Sequence, residues 1–154
     1  TADNLIKLGE RGFLAAVLWI DLTFDVQVQR RGADRAPDEV LASIAPYYRR
    51  VTTGAWPMNW LTPSVLALTL AAILVQAVER VQPIWVSGAS LALAGVVIGL
   101  ALWRTWRNAV RLGQAVDTPE VQTRLAVNVY RDHLISLAAM LALVGLQAAT
   151  SFPF

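Results

Sequence analysis

Leu18-Trp19-Ile20-Asp21-Leu22-Thr23-Phe24-Asp25 sets two carboxylates into a stretch that otherwise reads as a membrane-spanning helix. Four residues are a little more than one helical turn. Asp21 and Asp25 therefore leave the helix from nearly the same face, on the stripe that also carries Leu14, Leu18 and Val28. In hydrocarbon a lone carboxylate costs roughly 2.5–3.5 kcal/mol on insertion scales, so the pair is expected to face protein or water rather than lipid.

The rest of the chain supplies the medium. Its 154 residues are 56% hydrophobic and 16% charged, with a mean hydropathy of +0.49, more apolar than a soluble domain of this size usually is. The apolar residues gather into four blocks, Gly12 to Phe24, Leu61 to Val78, Ile84 to Trp103 and Leu134 to Ala149. With their flanks, these blocks approach the roughly 20 residues that cross a bilayer core. The first block does so only with Asp21 and Asp25 inside. It runs into Asp, Gln and Arg rather than a small-residue cleavage site, which predicts a retained span and not a signal peptide. The fold expected is all-α, one domain over residues 1–154: an integral membrane four-helix antiparallel bundle with spans at about 10–29, 61–79, 84–104 and 132–151.

Punctuation refines this. Asp3 or Asn4 can cap helix one, and Arg30-Arg31-Gly32 can end it. Ala36-Pro37-Asp38-Glu39 opens a short helix with Val40, Leu41, Ile44 and Tyr47 or Tyr48 at helical spacing, expected to lie on the membrane surface. Tyr47-Tyr48-Arg49-Arg50, Trp56 and Trp60 suit the headgroup layer, and Thr62-Pro63 caps the second span. Gly88, Ala92, Gly95 and Gly99 give the third span a small-residue face suited to close helix packing. That helix is expected to continue past the bilayer through Arg104, Arg107 and Arg111 and to end at Gly113. Thr118-Pro119-Glu120 then starts a helix that runs unbroken to about Thr150, so helices three and four share a long extension. Phe152 and Phe154 close the chain at the far interface.

Arg30, Arg31, Arg35, Arg49, Arg50, Arg104, Arg107, Arg111, Arg124 and Arg131 fall on the first and third connections, against Lys7, Arg11 and Arg80 on the opposite side. The positive-inside rule then makes both long connections cytoplasmic and both termini external, in what reads as a bacterial inner membrane. The pI near 9.5 follows from this topology, and no nucleic-acid motif accompanies it.

With no cysteine, disulfides and thiolate metal sites are excluded. With one histidine, His133, a bis-histidine haem within the chain is too. No nucleophile elbow, phosphate loop, paired-histidine metal helix or dinucleotide fingerprint occurs, so enzyme status has no positive support. The candidate site is an intramembrane polar cluster of Asp21, Asp25, Asn128 and Arg131. Arg131 is expected to face the bundle as the partner of Asp25, with His133 at the interface or against a neighbouring subunit. Asp21 needs its own donor, with Arg131, Thr23, Gln76 or a buried proton as candidates. Three roles compete: a satisfied structural network, a proton- or cation-binding carboxylate, and the polar end of a pocket for an apolar ligand such as a quinone, lipid or pigment, walled by Trp19, Tyr48 and Tyr130. Arg49, Arg50, Arg104, Arg107 and Arg111 are candidate contacts for lipid phosphate or an acidic partner.

Ala15-Ala16-Val17-Leu18-Trp19-Ile20, and the aromatic-basic step Tyr47-Tyr48-Arg49-Arg50-Val51, resemble small four-helix bacterial membrane proteins related to the membrane domain of copper resistance protein D. Arg124 to Leu137, with Asn128, Arg131 and His133, resembles the entry to the last helix in that group and in the anthrone-oxygenase-like family. The resemblance implies a four-span architecture. Copper handling does not carry over to a chain with one histidine and only Met58 and Met140, and oxygenase activity would fall on Asn128, Arg131 and His133 alone. The function expected is a non-enzymatic accessory or structural subunit of a membrane complex or homo-oligomer, or a small apolar-ligand-binding component. The alternative is an oxygenase-like membrane enzyme or a proton- or cation-coupled carrier using the Asp pair.

Overall fold

The computed structural model describes residues 2–29, 35–54, 56–80 and 82–151. The stop at Arg30-Arg31-Gly32 and the terminal Phe152 and Phe154 lie outside them, as do the side chains of Lys7, Glu10, Arg11 and Thr62. The described residues are helical apart from short turns: α1 (Ala2–Gln29), α2 (Asp38–Arg49), α3 (Met58–Val78), α4 (Ile84–Leu100), α5 (Trp106–Gln114) and α6 (Pro119–Ser151). Widened π-helical turns follow α2 at Arg50–Gly54 and join α4 to α5 at Ala101–Thr105. Three helical stretches are long and apolar enough to cross a membrane, Gly12–Gln29, Ile84–Gln114 and Pro119–Thr150, and Pro63–Val78 is a shorter apolar helix.

Sequence explains most boundaries. Pro37 and Pro83 stand just ahead of α2 and α4 and accept the first backbone hydrogen bonds, while Pro119 opens α6, where a missing N–H costs nothing. The third helix begins earlier than Thr62-Pro63 suggested, at Met58, with Pro57 ahead of it and Pro63 inside its second turn. α5 ends at Ala115, which takes the left-handed conformation (φ 53°) in place of the expected Gly113.

Two apolar layers hold the helices. Leu14, Ile73, Ala94, Val97, Met140 and Leu143 join α1, α3, α4 and α6, while Ile44, Tyr48, Ala109, Leu112, Ala126 and Val129 join α2, α5 and α6. α6 lies against α1 and α4, α3 against α4 and α1, and α2 chiefly against α5. The helix expected on the membrane surface is thus a packed element. Ile44 and Leu112 are fully buried, each contributing about 1.5–3 kcal/mol of apolar burial. Gly113 permits this, since a Cβ on it would lie 2.6 Å from the Arg49 nitrogen. By contrast Gly88, Ala92, Gly95 and Gly99 face outward, and nothing stands within 4 Å of a Cβ built on the three glycines. The close packing expected of that face is not made within the described chain, where Val86, Ser90, Ala94 and Val97 turn inward instead.

Candidate functional site: a buried carboxylate, histidine and tyrosine cluster

Asp25 is 1% exposed and both its oxygens are engaged: the Tyr48 hydroxyl donates to Oδ1 at 2.5 Å, and His133 Nδ1 lies 2.7 Å from Oδ2. One turn earlier on α1, Asp21 accepts a hydrogen bond from the Tyr47 hydroxyl. Phe24 stacks on the Tyr47 ring, with centroids 4.2 Å apart, and the Tyr47 and Tyr48 rings meet edge to face. Consecutive residues of α2 reach carboxylates a turn apart on α1 because α2 presents its C-terminal end to that helix. With an ionised carboxylate as acceptor, the imidazole Nδ1 carries the hydrogen and Nε2 becomes the atom that gains or loses a proton.

The partner expected for Asp25 is corrected here. Arg131 is exposed, and His133, expected at the interface, is the buried residue that reaches Asp25. The two lie about 200° apart on α6, so only one can face α1. The inward stripe runs Leu125, Val129, His133, Ser136, Met140 and Leu143, and Arg131 belongs to the opposite, polar stripe with Arg124 and the half-buried Asn128. Of the donors considered for Asp21, Thr23 turns back to the Ile20 carbonyl, and Gln76 is buried toward the other end of the molecule. Tyr47, read from sequence as a headgroup residue, takes the role.

The neighbouring Asp132 is wholly buried and was not anticipated. It accepts two hydrogen bonds from Arg104, one at 2.9 Å from Nε, and a third from the Thr105 hydroxyl at 3.1 Å. Both donors come from the widened turn between α4 and α5, a distortion often found beside functional residues. Asp132 and His133 thus face different helices, one the α4–α5 junction and the other α1.

The remaining candidates disperse. Trp19 is 65% exposed, Tyr48 is buried on Asp25, and Tyr130 donates to Gln29 at 2.6 Å, so the three do not wall one pocket. Arg49 donates to the Gly113 carbonyl and Arg111 pairs with Asp117, while Arg50 and Arg107 are exposed. Burial and the adjacent carboxylates hold the Tyr47 and Tyr48 hydroxyls well above the usual phenol range. The Arg111 hydrogen bond holds Asp117 below the usual carboxylate range. Among the described residues no group of three or more His, Cys, Asp or Glu side chains is arranged to hold a metal ion.

No family model matches the chain, and neither a curated protein nor a solved structure matches it.

Proposed function

We propose that the chain is a polytopic membrane protein whose four long helices form an antiparallel bundle, and that it binds and releases protons at the Asp21, Asp25 and His133 cluster. The observation that carries the reading is the buried Asp25, which takes a phenol on one oxygen and an imidazole on the other. Two carboxylates and one imidazole in an apolar setting carry up to two negative charges. Each of the first two protons taken up removes one of them, so the three side chains share one charge balance. Trp19, Ile20, Leu68, Leu74, Val96, Ile135 and Leu141 are large apolar side chains exposed along the helices, which supports lipid as their surroundings. The count of basic residues supports a cytoplasmic position for the end that bears α2 and α5.

His133 is the sole histidine, so ¹⁵N-histidine labelling of the protein in lipid reports one imidazole. Over the pH range in which the protein stays folded its ring nitrogens are expected to pass from charged to neutral, with Asp21→Asn and Asp25→Asn each displacing the transition while leaving assembly intact. An imidazole of constant charge across that range, or variants that titrate like the native protein, overturns the reading. Loss of assembly in both variants would assign the cluster a structural role.

A second reading, as an accessory subunit, is favoured by the outward Gly88, Ala92, Gly95 and Gly99 face, which leaves room for another helix at close range. Gly95→Leu is expected to dissociate such an assembly, and a native mass unchanged by that substitution argues against it. The oxygenase role implied for Asn128, Arg131 and His133 gains no support, because Arg131 and His133 face apart.

A further inference from the structure

We propose that the cluster exchanges protons only with the end of the molecule that bears α2 and α5, so that the chain binds protons from one side and does not conduct them from end to end. The proposal rests on the proton-binding reading above and adds its direction.

Buried polar groups occur at two depths, with an apolar layer between. The near group contains the buried Asp25, Tyr48, His133 and Ser136, with the half-buried Asp21 and Tyr47 beside them. The far group joins α4 and α6 to the turn between α3 and α4: the Gln82 side chain donates to Gln147 Oε1 at 2.9 Å, and Gln147 Nε2 donates to the Ser90 hydroxyl at 2.7 Å. On α6 the near group ends at Ser136 and the far group begins at Gln147, about 16 Å along the axis at 1.5 Å per residue. Proton hopping needs polar atoms or water roughly 3 Å apart, so several carriers would have to fill that gap.

The gap is filled with side chains of the other kind. Met140 and Leu143 on α6 are 1% and 0% exposed, and Leu14 on α1, Ile73 on α3 and Ala94 and Val97 on α4 close around them in one cluster. Thr69 lies at this depth on α3, one turn before Ile73, and a lone hydroxyl does not bridge such a distance. Voids lined by apolar side chains stay dry.

Toward the other end the polar groups continue. Beyond Asp25, the Ser43 hydroxyl donates to Gln27 at 3.3 Å and Tyr130 donates to Gln29 at 2.6 Å, with Gln29 exposed at the end of α1. Tyr47 and Asp21 are themselves only partly buried. The charged groups that act on His133 are Asp21 and Asp25 from α1 and Asp132 beside it on α6, with Tyr48 from α2 held on Asp25 and Arg104 from the α4–α5 junction held on Asp132. All lie on the near side of the apolar layer.

The test uses ¹⁵N-histidine-labelled full chain in sealed vesicles of phosphatidylcholine with a minority of phosphatidylglycerol. A protease site inserted after Val116 reports the fraction of molecules with the α2 and α5 end outward. After an external pH jump, the fraction of His133 that changes charge is expected to equal that outward fraction, and to become complete when an ionophore equalises pH. Response of the inward-facing molecules without ionophore overturns the proposal while leaving the proton-binding reading intact. An imidazole silent even with ionophore overturns both. As a second readout, vesicles loaded with a pH dye and clamped with a potassium gradient are expected to leak protons no faster than protein-free vesicles, and a tenfold faster leak refutes the barrier.

Discussion

Gly113→Ala is the sharpest perturbation of the arrangement that holds Asp25. The new methyl carbon would stand 2.6 Å from the backbone nitrogen of Arg49, 2.9 Å from its Cα and 3.0 Å from the carbonyl carbon of Tyr48. Carbon contacts settle near 3.5–4.0 Å, so α2 and α5 must separate by about 1 Å. All three obstructing atoms are backbone, so no side-chain rotation relieves the clash. The Tyr48 hydroxyl, now 2.5 Å from Asp25, would be carried to the edge of hydrogen-bonding range. Overpacking costs about 1–3 kcal/mol, and loss of a hydrogen bond to a charged acceptor about 1.5–3 kcal/mol. Together roughly 3–5 kcal/mol should lower the thermal midpoint by about 6–20 °C for a chain of this length. Gly95→Ala is the control, because nothing lies within 4 Å of its Cβ and alanine is the better helix former by up to about 1 kcal/mol. The two midpoints, followed by tryptophan fluorescence in detergent, should move in opposite directions or differ by at least 6 °C. If Gly113→Ala tracks the control, the close approach of α2 and α5 does not position Tyr48 and the reasoning fails.

Other consequences are measurable on the same protein. In a Tyr130→Phe background no tyrosinate absorbance should develop up to about pH 11 while the protein stays folded, and denaturation should release a transition near 10. Because the folded phenols are raised, they contribute stability below pH 10 that is lost as the pH climbs through the folded value; tyrosinate appearing near 10 in the folded protein contradicts this. Arg104→Gln strands the buried Asp132 and should cost about 2–4 kcal/mol, largely restored in the Arg104→Gln, Asp132→Asn double variant, as measured by denaturant unfolding. Asp117 is depressed by Arg111, so this pair supports the folded state above the ordinary carboxylate range and releases as pH falls through the lowered value. Carbon NMR of Asp117 should show its titration move upward in Arg111→Gln.

Much of the architecture was legible because long apolar runs between prolines leave few alternatives. Pro37, Pro83 and Pro119 each announce a helix that begins where expected. The partners at the site were less legible, for a geometric reason. Opposite charge made Arg131 the natural answer to Asp25, but the spacing of Arg124, Asn128 and Arg131 marks a solvated stripe. The alternation of Leu125, Val129, Ser136, Met140 and Leu143 places His133 on the buried one. That periodicity was present in the chain and outweighs charge pairing. Tyr47 and Tyr48 read as headgroup residues because tyrosine beside arginine usually is, and nothing local signals that α2 folds back onto α1. Sequence does not single out Asp132, because its donors, Arg104 and Thr105, come from a π-helical turn whose phase no regular helical wheel reproduces.

The choice of tyrosine over arginine beside these carboxylates bears on what the cluster can do. A guanidinium beside Asp25 would bring a permanent positive charge into the cluster, as Arg104 brings one to Asp132, one position from His133. A phenol donates one hydrogen bond without adding charge, so the proton balance of Asp21, Asp25 and His133 stays adjustable by neighbouring groups rather than pinned by a permanent cation. On the proposed proton-binding reading, adjacent residues of α6 serve opposite purposes: Asp132 sits in a salt bridge that fastens α6 to the α4–α5 junction, and His133 in a network without a permanent cation. Replacing Tyr48 by a cation should abolish that difference. Tyr48→Arg in labelled protein should leave the His133 nitrogens in one charge state over the range in which the native imidazole switches, and a native-like titration in that variant would show that the phenol is not what keeps the site adjustable.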